Sequence, residues 1–197
     1  MNDRHGQMEA LHNEVLALGG ELAKYRTEND YLPVIGEGSH DTRIMLIGEA
    51  PGKNEAKTGR PFCGAAGKIL DTLLEGVGIL REEVYITNIV KDRPPENRDP
   101  LPSEIEFYAP FLDRQIEIIQ PEVLATLGRF SMEYIMRRFG LAAELEPISR
   151  AHGKAYDAQA SYGPIKIVPL YHPAAAIYNQ SLKPVLAKDF AVLSAVM

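Results

Sequence analysis

The sequence predicts an α/β fold of three layers, α/β/α, around a central four-stranded parallel sheet. Two observations carry this. Four short segments are near-continuously apolar and rich in β-branched residues, the pattern of strands covered on both faces. Segments with helical spacing of apolar residues separate most of them, the alternation that builds parallel sheets. With 197 residues, of which 45% are hydrophobic, the chain supports one domain with a sizeable core, spanning 1–197.

Residues 1–30 form an N-terminal helical segment. Met8, Leu11, Val15, Leu18 and Leu22 alternate at spacings of three and four, marking one face of a helix over 8–25, weakened at Gly19-Gly20. A turn-rich connection, YLPVIGEGSHDT, follows. The strand candidates are RIMLIG (43–48), VYITNIV (84–90), EVLATLG (122–128) and IKIVPLYH (165–172). Helices are expected over 65–77, 103–119, 129–139 and 184–196. Ser103 is placed to cap the second of these, and Pro110 is expected to kink or split it.

Composition narrows the function classes. No apolar run reaches the ~18 residues of a membrane span, and the N-terminus lacks a signal-peptide core, so a cytoplasmic location is expected. Cys63 is the sole cysteine, which excludes an intrachain disulfide and a cysteine-ligated zinc or iron–sulfur site. The formal net charge of -6 argues against bulk attraction to nucleic acid, yet KDRPPENR gathers Lys91, Arg93 and Arg98 in one loop, either a local basic groove or a solvated turn.

The first strand runs into GEAPGKNEAKTGRPFCG. Gly52-Lys53 after a strand resembles a phosphate-binding loop only superficially: Ile47 stands where its first glycine belongs and Asn54 where the magnesium-binding hydroxyl belongs. Parallel sheets bind ligands beyond the carboxyl ends of their strands. Glu49, Asn88 and His172 fall there, with Phe62 nearby. An amide edge to read a base, a stacking face, a hydrogen-bond donor and a carboxylate suit cleavage of an N-glycosidic bond. Taken singly each has a plainer role: Glu49 as a solvated turn residue, His172 as a strand end, Phe62 as core.

The string GEAPGKNEAKTGRPFCGAAGKILD is similar to the first motif of the family 4 uracil-DNA glycosylases. VYITNIVKDRPPENRDPLPSEIE resembles their second block and VPLYHPAAAI their last, so the resemblance covers roughly residues 36–190 in order. It implies the same fold and a monofunctional enzyme that flips uracil out of DNA and hydrolyses its glycosidic bond. It also implies roles. Glu49 activates water or stabilises the sugar cation, and His172 stabilises the departing uracil. Ala50 offers a backbone contact, Glu55 lies against C5, Phe62 stacks and Asn88 reads the pairing edge. The expected partner is uracil-containing DNA, including single strands, met by a monomer that needs no metal or nucleotide cofactor.

The sequence departs from the family in three places. The family holds a four-iron, four-sulfur cluster on four cysteines; Asp92 and Tyr108 occupy two of those positions, and GGELAKYRTEND, where the first pair belongs, has no cysteine. No iron is therefore expected, and ordinary packing has to hold residues 91–108 and the N-terminal helix. Tyr178 stands where relatives place a basic residue on the DNA-entering segment; Ile177 and Tyr178 are candidates to wedge or stack in DNA. Ala56 replaces a frequent aspartate. Cys63 reads as a small buried hydrophobe and His152 as a groove or surface residue. Two other readings stand beside the glycosylase: a uracil- or nucleic-acid-binding module with weak catalysis, and a glycosylase for another deaminated base such as hypoxanthine or xanthine.

Overall fold

The structure is a computed structural model that describes residues 3–196. In chain order its elements are α1 (Arg4–Leu16), α2 (Glu21–Glu28), β1 (Glu37–Gly38), β2 (Ile44–Gly48), α3 (Lys53–Thr58), α4 (Ala65–Glu75), β3 (Tyr85–Asn88), α5 (Pro102–Ile119), β4 (Val123–Leu127), α6 (Arg129–Arg138), α7 (Ile148–Ala151), β5 (Tyr156–Ala160), β6 (Gly163–Leu170), α8 (Ala175–Tyr178) and α9 (Lys183–Ala195).

The four strands expected from the sequence form the parallel centre of the sheet, in the order β3-β2-β4-β6. Two antiparallel edge strands extend it to six: β1 beside β3 and β5 beside β6. Alternation sorts the core. Ile44 and Leu46 of β2 face Leu70, Leu74, Phe190 and Leu193 of α4 and α9, whereas Met45 and Ile47 face Leu112, Ile116, Met132 and Ile135 of α5 and α6. Both sheet faces are thus covered.

Three element readings need correction. The expected helix over 8–25 is two helices, α1 and α2, because Gly20 takes φ 98°, a conformation that ends the first run and that glycine adopts without strain. Helix α5 stays one element through Pro110, because Pro110 and Glu106, whose carbonyl loses its partner there, both lie on the exposed face where water takes over. Ser103 does not cap α5. Leu101 precedes it, Pro102 occupies the first turn, and the Glu104 carboxylate accepts the Leu101 N–H at 2.8 Å.

Packing alone does not hold the N-terminal helices. Leu11, Val15 and Leu22 do bury against Ile35, Val90 and Tyr108. Within this cluster, however, Arg26 Nη1 donates to both oxygens of Asp92 at 3.1 and 3.0 Å, and the Tyr108 hydroxyl donates to Asp92 Oδ2 at 2.6 Å. Arg26 Nη2 also donates to the Leu16 carbonyl at the end of α1, at 3.0 Å. All three side chains are buried. This donor set does not fit an iron–sulfur cluster. A carboxylate clasped by a guanidinium and a phenol offers no thiolate, and the one thiol, Cys63, sits in the loop before α4.

Candidate active site

The parallel register sets Gly48 of β2 beside Asn88 of β3, so both strands end at one level. Gly48 cannot carry a side chain: a Cβ there lies 2.3 Å from Asn88 Oδ1 and 2.9 Å from the Phe62 ring. Glycine at this point lets the amide and the aromatic ring share the same space. The turn beyond β3 is tied to the turn beyond β2, because Ile89 N donates to the Gly48 carbonyl at 3.1 Å and Val90 N to the Glu49 carbonyl at 3.0 Å. Glu49 and Asn88 are thereby locked side by side.

Phe62 is buried and takes φ 47°, a left-handed conformation costly for a non-glycine residue and the kind of strain that gathers at functional sites. Close packing enforces it. A Cβ on Gly67 of α4 meets the Phe62 carbonyl oxygen at 1.7 Å, so helix and loop touch backbone to backbone. The Phe62 and His172 rings lie 5.5 Å apart at 30°. Glu55 of α3 braces the same loop, its Oε1 accepting from Cys63 N and Gly64 N, both at 3.1 Å.

The protonation states follow from surroundings. His172 Nδ1 accepts the Ala174 N–H at 3.1 Å, so the neutral ring carries its proton on Nε2. Burial pushes His172 down to about 4, with Glu55 opposing weakly, which keeps the ring neutral at physiological pH. Glu49 is raised to about 7, first by burial and then by the Asp99 carboxylate, with Arg129 pulling the other way. Arg129 itself is ion-paired to Asp99.

One cavity of about 590 Å³ collects these groups. Glu49, Ala50, Glu55, Phe62, Asn88, His172, Ile177 and Tyr178 all line it. Among the described residues the Asn88 side-chain amide has no hydrogen-bond partner, which leaves its donor and acceptor for a ligand. Ile177 is 44% and Tyr178 89% exposed, an apolar step at the mouth. The arrangement offers a flat ring for stacking, an amide edge, a neutral N–H donor and a carboxylate of adjustable charge.

The basic loop expected from KDRPPENR is absent as a surface. Lys91 is completely buried under the sheet edge, its three ammonium hydrogens taken by internal acceptors. Arg93 is also buried, donating to Asn97 Oδ1 at 2.7 Å and to the Tyr25 and Tyr31 hydroxyls. Arg98 is paired with Glu104. Each cation has an internal or local partner that competes with phosphate. Cys63 is half-buried rather than core, 3.3 Å from the Thr58 hydroxyl. His152 is held by Asp189 of α9 at 2.7 Å and stacks near Tyr171.

Sequence reasoning missed Lys53, Asn54, Asn97 and Asp99, which also line the cavity, and Arg129 behind Asp99. Asn97 and Asp99 belong to a loop whose left-handed turn at Glu96 and Asn97 swings it over the strand ends. Only its proline and asparagine content hinted at that.

Comparison of the sequence with known proteins points to one family. The pattern of the Uracil DNA glycosylase superfamily matches residues 35–193. The chain is 44% identical over 185 residues to the type-4 uracil-DNA glycosylase of Sulfurisphaera tokodaii, covering 93% of this chain and 81% of that protein. It is 43% identical over 166 residues to the type-4 uracil-DNA glycosylase of Archaeoglobus fulgidus, covering 84% and 81%. Against the type-4 enzyme of Saccharolobus solfataricus the identity is 48% over 158 residues, covering 80% and 72%. The six-stranded α/β sheet and a match over most of its length make this chain a member of the uracil-DNA glycosylase superfamily.

Proposed function

We propose that the protein is a monofunctional uracil-DNA glycosylase, hydrolysing the bond between uracil and deoxyribose and leaving an abasic site. The observation that carries this reading is the convergence of Glu49, Phe62, Asn88 and His172 in one cavity beyond the strand ends, with a neutral histidine proton directed from Nε2. The uracil leaves the base stack to enter. Phe62 stacks on it, Asn88 pairs with its edge and Ala50 contributes its backbone. Glu55, held by two backbone N–H groups, stands against C5 and disfavours a methyl group there.

As the glycosidic bond breaks, the base takes the bonding electrons and the sugar becomes cationic. His172 Nε2–H donates to the developing oxyanion; a neutral donor stabilises it without first losing a proton to solvent. Glu49 as carboxylate faces the cation, orients the attacking water and takes its proton as the oxygen bonds to the anomeric carbon, while uracil departs as the anion. No lysine is assigned a covalent role, so the strand stays intact until alkali cleaves it. The whole cavity lies within one copy of the domain, which suits a monomer. A lone half-buried cysteine suits a reducing cytoplasm, and among the described residues no helix is long and apolar enough to cross a membrane.

Single- and double-stranded oligonucleotides with one uracil, incubated in EDTA and then treated with alkali, test the reading. Wild type is expected to cut both. Asn88→Ala and His172→Ala are each expected to lose roughly 100-fold or more, the cost of removing a direct transition-state donor. Unchanged turnover by Asn88→Ala removes its assigned role. Binding without turnover by folded wild type favours a binding module, and cutting only at hypoxanthine favours the other-base reading.

A further inference from the structure

Among the described residues the most deeply buried basic side chain is Lys91. Its Nζ donates to Thr87 Oγ1 at 2.8 Å, the Asn88 carbonyl at 2.7 Å and Gln115 Oε1 at 2.6 Å. These three partners can only accept. The Thr87 hydroxyl hydrogen has two acceptors, the Ile35 carbonyl at 2.6 Å and Gln115 Oε1 at 3.2 Å, and goes to the nearer carbonyl. Asn88 contributes a carbonyl. The Gln115 amide is oriented by its own nitrogen, which donates to Ile35 O at 2.9 Å and to the Tyr85 hydroxyl at 3.1 Å. A neutral amine has two hydrogens and a lone pair, which would face one of these oxygens unpaired; an ammonium satisfies all three. Burial pushes the Lys91 amine down, whereas three acceptors converging on Nζ favour the charged form. None of the three partners is an anion, so the charge inside the cage is uncompensated.

We infer that Lys91 is a positioning residue for uracil excision, whose buried ammonium grips the Asn88 carbonyl, fixes the Asn88 side chain against the base and sets a positive charge behind the pocket wall where the uracil anion forms. The inference rests on the proposed reading of Asn88 as the uracil-contacting residue. The tie is short and mechanical. Asn88 closes β3, Ile89 and Val90 bond back to the Gly48 and Glu49 carbonyls, and Lys91 then returns underneath to hold the residue that began the turn. The Lys91 carbonyl accepts from Val34 N at 2.7 Å, which anchors the backbone of the turn as well. Charge matters here because field lines in a low-dielectric interior are little screened.

The test uses the full chain and single-turnover kinetics on a uracil oligonucleotide, with wild type and Asn88→Ala as references. Lys91→Met removes the charge; Gln115→Glu keeps an oxygen beside Lys91 but neutralises it, and so answers for the case in which Lys91→Met fails to fold. Both variants are expected to lose roughly 10- to 100-fold in rate, less than a direct donor costs, with KM within about threefold of wild type. In the Asn88→Ala background Gln115→Glu is expected to cost less than it does alone, because part of its effect passes through Asn88. Wild-type turnover by folded Gln115→Glu overturns the inference while leaving the uracil reading intact. Failure of wild type to release uracil, or undiminished release by Asn88→Ala, overturns the uracil reading itself and the Lys91 inference with it.

Discussion

At the scale of residues, the site is governed by where charge is permitted. Glu49 sits half-buried with a carboxylate neighbour, and its pKa of about 7 lies above the ordinary carboxyl value of 4.5. The native state therefore holds this proton more tightly than the unfolded chain does. That preference stabilises the fold fully below the unfolded value and is lost as pH rises through about 7. Activity runs the opposite way, because a cationic sugar needs the carboxylate. The rate constant on a uracil oligonucleotide is expected to rise with pH through a midpoint near 7, and Glu49→Gln is expected to be slow and flat across that range. The same variant is expected to melt higher than wild type at pH 8 and equally at pH 4; a melting temperature unchanged at pH 8 contradicts a buried, raised carboxyl. Glu49, Asn88 and His172 were legible in the sequence because strand ends of a parallel sheet are where ligands bind. Asp99 and Arg129, which tune Glu49, were not. They reach it through a loop turn at Glu96–Asn97 and through the start of α6, neither of which leaves a periodic signal.

At the scale of elements, the sheet centre was legible and its margins were not. Central strands bury both faces and so read as apolar runs, whereas β1 has two residues and β5, YDAQA, alternates half-buried and exposed positions up to a buried Ala160 and follows Tyr156 with weak strand formers. The basic loop was misread for a related reason: charge in a sequence says nothing about direction, and Lys91 and Arg93 point inward to acceptors from distant elements. The same holds for the network at Asp92. Its partner Arg26 is remote in sequence and lies on α2, so only the fold reveals that a guanidinium, a carboxylate and a phenol hold α1, α2 and α5 together. Breaking it is expected to be costly, because removing one member leaves a buried charge alone. Asp92→Ala is predicted to destabilise by about 3–5 kcal/mol, and Tyr108→Phe by about 1–2 kcal/mol, read as shifts in urea midpoint at constant slope. Iron added during refolding is expected to rescue neither variant. Recovery with iron, or a loss under about 1 kcal/mol for Asp92→Ala, contradicts the assignment of this network as the element clasp.

At the scale of the whole molecule, the question is how a protein of net charge -6 holds a polyanion. Cations near the cavity are mostly committed: Arg98 to Glu104, Arg129 to Asp99 and Arg60 to Glu37. Lys53, exposed at the cavity wall, is the nearest candidate for a phosphate. On the proposed reading, affinity is expected to come mainly from the extruded base and from the exposed Ile177 and Tyr178 at the mouth. Such binding releases few counterions. The logarithm of affinity for a uracil oligonucleotide, measured with Glu49→Gln to prevent turnover, is expected to fall with the logarithm of salt at a slope of about -2, where proteins making many phosphate contacts approach -6 or steeper. The same balance is expected to set the strand preference. A duplex requires unpairing and unstacking of the base, and among the described residues few uncommitted cations lie near the cavity to offset that cost. Uracil in single strands is therefore expected to be excised faster than uracil in duplex at physiological salt, with Tyr178→Ala slowing the duplex reaction more than the single-strand one. A steep salt slope together with equal rates on both strand forms means that a phosphate-binding surface exists which the exposed cations around this cavity do not supply.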